Sequence, residues 1–270
     1  MNKIFFPARA RTGTTSLWTA LSKHPDICAS IQKEPLRHML GADLGPKNLQ
    51  IVSEEFPFYK YYSPYQYSQF FRKKNYKVLF DGTPIGGYIR SNLHSKILND
   101  LLKKNEKFIK ELKCIYILRE PWDLLHSAFR LIIRTRIIIP LKEGIFFIDG
   151  KLHEETAMRY INILIDEPYW IDHINKFFGK ENILFVPLSN IQNNLKRILD
   201  FMEVDSSIEI KIENLNQNLR LFKGLTGPEL IQAYKALAVF NRVVDKNRKE
   251  IDDKIKSNTE KINKMGLFYE

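Results

Sequence analysis

Short apolar runs alternate with amphipathic segments along this chain, and this alternation restricts the fold more than any other feature. The runs with the length and composition of buried strands cover residues 4–6, 77–80, 114–118 and 183–186. Helical patterns cover residues 14–23, 122–130 and 189–202. Strands that alternate with helices predict an α/β fold, a three-layer sandwich with a mostly parallel central sheet. Ligands of such sheets bind beyond the carboxyl ends of the strands, so the loops at those ends are the first place to look for function.

Size and charge restrict the function further. The 270 residues fit one domain over residues 1–270, in which residues 245–270 form a solvated C-terminal helix or tail. Lys and Arg number 42 against 31 Asp and Glu, and this net charge of +11 indicates a polyanionic partner such as nucleic acid, an acidic membrane face or a phosphate-bearing ligand. Two cysteines, Cys28 and Cys114, cannot form a disulfide framework. The apolar runs are too short for a signal peptide or a membrane span, so we expect a cytoplasmic protein.

A short basic loop follows the first predicted strand and reads ARARTGTTS over residues 8–16. The free amides and the dipole of a helix start attract an anion, Gly13 allows close approach of the backbone, and Arg11 supplies a guanidinium. Thr14 stands where a Walker A loop has its lysine, which argues against a nucleotide triphosphatase. The alternative is an ordinary strand–turn–helix in which the hydroxyl residues only cap the helix.

A second candidate anion site consists of an arginine at the end of a predicted strand and a serine in the helix that follows. Arg119 follows the predicted strand of residues 114–118, and Ser127 lies two helical turns further along the chain. Both side chains suit one anionic ligand. The alternative is that Arg119 pairs with Glu120 or Asp123 while Ser127 packs inside the protein.

Together these motifs resemble the sulfotransferases that use 3′-phosphoadenosine 5′-phosphosulfate (PAPS). The resemblance is carried by RTGTTSL at residues 11–17, HPDI at residues 24–27, LREPxxxxxSxxR at residues 118–130 and NIQNNLKRILDFMEVD at residues 190–205. It implies a sheet related to that of P-loop NTPases, PAPS as sulfuryl donor, adenosine 3′,5′-bisphosphate (PAP) as product and no metal. The residues that it assigns to the 5′ side of the nucleotide are Arg11, Thr12, Gly13, Thr14, Thr15 and Ser16. Those that it assigns to the 3′-phosphate are Arg119, Ser127, Lys223 and Gly224, the last two in a glycine-bearing loop.

The acceptor side is inferred from two further segments. SIQKEPLRHM at residues 30–39 resembles the KEP-type segment of the carbohydrate branch, which makes Glu34 the expected general base, with Lys33 beside it. His38 is an alternative base. DGTP at residues 81–84 is similar to an E-K-[ST]-P stretch, so Asp81 is another alternative base or an acceptor-binding residue. Without the resemblance to this family, Lys33 and Glu34 are interpreted as part of a solvent-exposed turn.

Arg11 stands where many members have lysine. Because a guanidinium does not lose its proton, the expected role of Arg11 is electrostatic, on the departing phosphate. The predicted activity is sulfuryl transfer to a hydroxyl or amine of a saccharide or small natural product. A basic nucleic-acid-binding module and a kinase-like phosphoryl transferase are the alternatives. The apolar stretch of residues 131–148 is interpreted as a lid or a dimer patch, which leaves a homodimer open.

Overall fold

Five strands form one all-parallel sheet in this computed structural model, which describes residues 2–30, 71, 75–84, 109–138, 147–148, 151–152, 154–213 and 225–269. The strands are β1 (Asn2–Pro7), β2 (Ile27–Ala29), β3 (Val78–Phe80), β4 (Ile109–Leu118) and β7 (Ile183–Pro187). Their order across the sheet is β2-β3-β1-β4-β7. Two further strands, β5 (Phe147–Ile148) and β6 (Lys151–Leu152), form a separate antiparallel pair. The predicted α/β fold with a parallel central sheet is therefore confirmed.

Helices follow the strands as the sequence pattern indicates. They are α1 (Thr14–Leu21), α2 (Pro121–Ile138), α3 (Glu154–Leu164), α4 (Glu167–Phe178), α5 (Leu195–Phe201), α6 (Gly227–Lys246) and α7 (Arg248–Lys264), with a 3-10 turn at Lys180–Asn182. The helix α5 is shorter than its predicted range, because residues 189–194 form turns before it. Within the described part of the chain, no helix is both long and apolar enough to cross a membrane.

The carboxyl ends of β1, β2 and β3 lie at the same edge of the sheet. β1 lies between β3 and β4, with Phe5 opposite Phe80 and Pro7 opposite Ile115. The ladder continues past the strand ends, because the amide of Ser30 donates to the Phe80 carbonyl over 3.0 Å and the amide of Asp81 donates to the Phe5 carbonyl over 2.9 Å. Residues that follow β1, β2 and β3 therefore start from one edge of the sheet.

One face of the sheet packs against α1 and α5. Phe5, Phe80 and Ile117 of the sheet share a buried cluster with Leu17 of α1 and Ile198 of α5. Burial of both faces is usual for parallel strands, whose sequences are then continuously apolar. This packing fixes α1 directly behind β1 and holds the loop between them at the carboxyl edge of the sheet.

The described residues cluster into two compact units. The first contains the described residues within 2–118 and 171–213, and the second contains the described residues within 119–170 and 225–269. In the second unit the rings of Phe129 and Phe240 stack with centroids 3.7 Å apart, which joins α2 to α6. A single domain over residues 1–270 stays a prediction.

Two sequence segments of uncertain role belong to this second unit. Residues 131–138 continue α2, and Ile133 packs with Ala233 and Ala236 of α6. This part of the apolar stretch is therefore the end of a helix; residues 139–146 lie outside the described residues. Residues 248–264 form α7, in which the buried Asn258 amide donates to the Ile165 carbonyl over 2.9 Å.

Candidate functional site

The loop between β1 and α1 contains two residues with a left-handed backbone conformation. Arg11 has φ 67° and Gly13 has φ 83° and ψ 12°. Gly13 is the N-cap of α1, so Thr14, Thr15 and Ser16 form the first turn of the helix instead of capping it. The interpretation of these hydroxyl residues as a simple N-cap is therefore wrong. Glycine has no side-chain oxygen, so the N-cap residue leaves the first-turn amides to other partners.

The strain in this loop is specific to Arg11. A residue with a Cβ in the left-handed region costs about 1–2 kcal/mol, and such residues persist where the surrounding structure holds them. Two hydrogen bonds fix the loop on either side of Arg11: the Ala8 amide donates to the Ile115 carbonyl over 3.0 Å, and the Thr12 hydroxyl donates to the Arg9 carbonyl over 2.9 Å. Left-handed residues within a turn direct successive amides to one side, which is the geometry of an anion-binding concavity. The loop is thus built to present backbone donors.

Thr12 therefore differs from the other hydroxyl residues of the motif. Its side chain is buried, and its hydroxyl hydrogen is already used by the Arg9 carbonyl. A ligand at this position would meet the backbone of Thr12 and not its hydroxyl hydrogen. Thr15, by contrast, is exposed at the start of α1.

Arg9 is a residue that the motif comparison did not single out. Its side chain is only 3% exposed, although arginine is rarely buried without a functional or structural reason. The sequence offered one indication of its importance, the repeated arginine in ARAR at residues 8–11. The RTGTTSL motif begins only at Arg11, so it does not include Arg9. Residues 8–16 contain two guanidinium groups and no carboxylate, so the whole loop carries positive charge.

Three polar residues follow the neighbouring strands β2 and β3. Ser30 is 1% exposed, and Asp81 and Thr83 are fully buried. One carboxylate oxygen of Asp81, Oδ1, accepts the Thr83 amide over 2.8 Å, which closes a tight turn directly after β3. The Ser30 Oγ and Thr83 Oγ1 atoms are buried and have no hydrogen-bond partner among the described residues. The predicted acceptor residue Asp81 thus lies at the same pair of strand ends as two buried hydroxyls to which the sequence analysis gave no role.

The second unit contains Arg119 and Ser127. Arg119 is half-buried immediately after β4, and burial lowers the pKa of its guanidinium, while the carboxylates of Asp123 and Glu120 raise it. Ser127 is 1% exposed on α2. The burial of Ser127 and the carboxylates near Arg119 fit both a ligand-binding role and the alternative of internal packing and ion pairing, so the role of both residues stays a prediction.

The amino end of α2 is capped differently from that of α1. The Glu120 carboxylate accepts the Asp123 amide over 2.8 Å, and Pro121 occupies the first helical position. A second carboxylate, that of Asp123, lies in the first turn. These negative charges complement the helix dipole, so the amino end of α2 is not itself an anion site.

Two histidines near the motifs have structural surroundings. The Nδ1 atom of buried His24 accepts the Asp26 amide over 3.1 Å, and its Nε2 atom lies 2.9 Å from the Asp205 carbonyl, which can only accept. His24 is therefore the neutral Nε2–H tautomer. Through these hydrogen bonds the HPDI segment connects the end of α1 and the start of β2 with the segment after α5. Burial and the Arg130 charge lower the pKa of His126, whose ring contacts Trp122.

Several predicted residues lie outside the described residues, so their placement stays a prediction. They are Lys33, Glu34, His38, Lys223 and Gly224. Gly227, from the same glycine-bearing segment, begins α6, and a Cβ at this position would meet nothing within 4 Å. Among the described residues, no three His, Cys, Asp or Glu side chains are grouped so that they could hold a metal ion.

Comparison with known proteins supports the fold. No protein-family model matches the chain. Its structure is similar to the crystal structure of a sulfotransferase from Alicyclobacillus acidocaldarius, with a TM-score of 0.50 and 16% identity over 86% of this chain and 94% of that chain. The sulfotransferase domain from the curacin biosynthetic pathway gives a TM-score of 0.43 and 15% identity over 83% of this chain and 81% of that chain. A mouse sulfotransferase complexed with PAP gives a TM-score of 0.38 and 18% identity over 95% of this chain and 88% of that chain. The first likeness shows that the chain shares the α/β fold of that sulfotransferase.

Proposed function

We propose that this protein is a PAPS-dependent sulfotransferase that transfers the sulfuryl group to a hydroxyl or amine of a saccharide or small natural product. The observation that carries the proposal is the β1–α1 loop, in which Arg11 and Gly13 are left-handed and α1 starts at its N-cap glycine. The RTGTTSL motif occupies this loop, and the likeness of the fold to a sulfotransferase supports the same function.

The donor set of the loop fits the 5′-phosphosulfate. Backbone amides of the helix start, the hydroxyls of Thr14, Thr15 and Ser16 and the Arg11 guanidinium are all hydrogen-bond donors. With no carboxylate in residues 8–16, nothing in the loop itself repels the ligand. Arg119, Ser127, Lys223 and Gly224 are proposed to hold the 3′-phosphate.

The proposed reaction is an in-line displacement at sulfur. PAPS supplies an activated sulfuryl group whose leaving group is a phosphate. A bond forms between sulfur and the acceptor oxygen or nitrogen as the bond between sulfur and the phosphate oxygen breaks, and the acceptor proton passes to Glu34. Arg11 and the α1 amides stabilise the charge that develops on the leaving phosphate. Arg11 acts by charge alone, because its proton does not leave at working pH.

Calorimetric titration with PAP tests the nucleotide site, and an acceptor screen with PAPS tests the reaction. We expect PAP to bind and ATP with Mg²⁺ to bind more weakly. Tight binding of ATP with Mg²⁺, without binding of PAP, would instead favour a kinase-like phosphoryl transferase. A steep loss of RNA or DNA binding with salt, again without PAP binding, would favour the nucleic-acid module.

The general base is tested separately. We expect Glu34→Gln to abolish turnover while PAP affinity stays at the wild-type value, since the carboxylate acts on the acceptor. Unchanged turnover in this variant would exclude Glu34. His38→Gln and Asp81→Asn would then distinguish the two remaining candidates.

A further inference from the structure

We propose that the hydroxyls of Ser30 and Thr83, together with the Asp81 carboxylate, bind the hydroxyl or amine group of the acceptor. This inference rests on the proposed sulfotransferase function and adds the residues that select the acceptor group. None of the sequence motifs assigns a role to either hydroxyl.

The first argument is the state of the two hydroxyls. Both oxygen atoms are buried and have no hydrogen-bond partner in the described part of the chain. A buried hydroxyl without a partner destabilises a folded protein, so such groups are rare and call for an explanation. Two of them at the ends of neighbouring strands point to a shared cause.

The second argument is their position. Ser30 follows β2 and Asp81 follows β3, and the amides of these two residues continue the ladder to Phe80 and Phe5. Neighbouring strands lie about 4.8 Å apart, so these residues start from adjacent points of one edge. The turn that Asp81 makes with the Thr83 amide keeps Thr83 at the same edge. The next strand across is β1, which leads directly into the Arg11 loop.

The third argument is the chemistry of the group. Each hydroxyl both donates and accepts a hydrogen bond, and an ionised Asp81 only accepts. This set suits a ligand group that also donates and accepts, which means a hydroxyl or an amine. A carboxylate repels phosphate and sulfate, so the cluster is unsuited to the nucleotide. Because water is excluded here, each hydrogen bond to the ligand is stronger than it would be at the surface.

The test compares hydroxyl deletions with a matched control. Ser30→Ala and Thr83→Val remove the unpartnered hydroxyls, and Thr83→Ser keeps one. Thr259→Val removes a hydroxyl on α7 that donates to the Ile255 carbonyl over 2.8 Å, far along the chain from either strand end. Calorimetry measures the Kd of PAP and, for the PAP-loaded protein, the Kd of two probes, D-glucosamine and 4-nitrophenol. Thermal unfolding gives the Tm of each variant.

We expect Ser30→Ala and Thr83→Val to weaken binding of at least one probe by about 2- to 10-fold, the range of one neutral hydrogen bond. Their Tm should equal or exceed that of the wild type, because an unpartnered hydroxyl has been removed. The Kd of PAP should not change, and Thr83→Ser and Thr259→Val should bind the probes as the wild type does.

Other outcomes overturn the inference in distinct ways. Wild-type probe affinity in both deletion variants would show that the hydroxyls do not contact the acceptor, as would failure of both probes to bind the PAP-loaded wild type. A lower Tm in both variants would show that the hydroxyls have structural partners. If the wild type does not bind PAP at all, the sulfotransferase proposal itself fails.

Discussion

Two junctions between a strand and a helix carry the motifs of this protein, and they handle the helix start in opposite ways. At the first, between β1 and α1, the N-cap is the left-handed Gly13, which has no side chain to offer the helix amides. At the second, between β4 and α2, the Glu120 carboxylate accepts the Asp123 amide. The N-cap residue of the first junction gives α1 no side-chain cap, whereas the second junction places a carboxylate at the start of α2.

This difference separates two ways to bind phosphate. In the proposed PAPS site, the β1–α1 loop binds phosphate through its backbone and the helix dipole, with Arg11 as the added charge. The contacts proposed at the β4–α2 junction are side chains, those of Arg119 and Ser127. Phosphate affinity at a backbone site depends on the conformation of the loop. At a side-chain site it depends on single side chains, which one substitution can remove.

The largest effect is expected from Arg11. Arg11→Ala should lower the rate of sulfuryl transfer by about 10²- to 10³-fold, the usual effect of removing one donor that stabilises developing charge. Arg11→Lys should lower it less, because the charge remains. Arg11→Gly relieves the left-handed strain, so its Tm should not fall although its activity does. Steady-state rates and thermal unfolding measure both effects, and an active Arg11→Ala would remove Arg11 from the mechanism.

The next largest effect is expected from Arg119. Arg119→Ala should weaken PAP binding by about 10- to 150-fold, since a hydrogen bond to a charged group contributes about 1.5–3 kcal/mol. Adenosine 5′-monophosphate lacks the 3′-phosphate, so its affinity should hardly change and it serves as the control ligand. Equal losses for both nucleotides by calorimetry would show that Arg119 does not recognise the 3′-phosphate.

Gly13 tests the backbone site. Gly13→Ala adds a Cβ at φ 83°, which costs about 1–2 kcal/mol, and we expect PAP affinity to fall by roughly tenfold as the loop relaxes. Gly227→Ala is the matched control, because its Cβ meets nothing within 4 Å and no left-handed conformation is required there. That variant should gain roughly 0.4–1 kcal/mol of stability, so the comparison isolates the cost of the left-handed conformation at Gly13. A Gly13→Ala variant as stable as Gly227→Ala would contradict the loop geometry.

A smaller effect is expected from Glu120. Glu120→Gln should destabilise the protein by about 0.5–1 kcal/mol, because the cap of α2 loses its charge. PAP affinity should stay equal or rise by about 2-fold, since a carboxylate next to Arg119 has been neutralised. Chemical denaturation and calorimetry measure the two quantities. A marked fall in affinity would mean that Glu120 positions Arg119.

The smallest effect is expected from pH. Burial lowers the pKa of Arg119, yet a guanidinium pKa stays far above neutral, and Arg11 likewise remains charged. The pKa of His126 is lowered, so its imidazole is neutral above its ordinary value of about 6.5 and adds no charge beside Ser127. PAP affinity should therefore vary by less than about 2-fold between about pH 7 and 9, where the phosphates are already ionised. A tenfold loss across this range would show that a group that loses its proton between about pH 7 and 9 holds the nucleotide, which Arg11 and Arg119 do not.

Much of the fold could be predicted because its signals are local. The apolar runs before Gly13 and Arg119 are long enough to be recognised as strands, and Pro121 marks a helix start. The strand Ile27–Ala29 was not among the predicted strands, because its sequence, ICA, has only one large aliphatic residue and no aromatic one. The extension of α2 through residues 131–138 was also not predicted, because a dense apolar run does not show helical periodicity clearly.

Some residues of the candidate site could likewise be predicted from the sequence, and others could not. Residue type and order alone predict an anion-binding loop and a phosphate-binding role for Arg119 and Ser127, because phosphate recognition needs guanidinium, hydroxyl and amide donors; both stay predictions. The unpartnered hydroxyls of Ser30 and Thr83 could not be foreseen, since burial and the absence of a partner depend on residues distant in sequence.

The amino-acid sequence by itself determined the α/β class and four of the five central strands, because each depends on patterns within about ten residues. Only the tertiary structure decided the strand order, the left-handed conformations of Arg11 and Gly13, and which helix start is capped by a carboxylate. These depend on hydrogen bonds between segments far apart in the chain, such as Ala8 to Ile115 and Asp81 to Phe5. Local propensity cannot specify such pairings, because the entropy of closing long loops is recovered only when the whole sheet assembles.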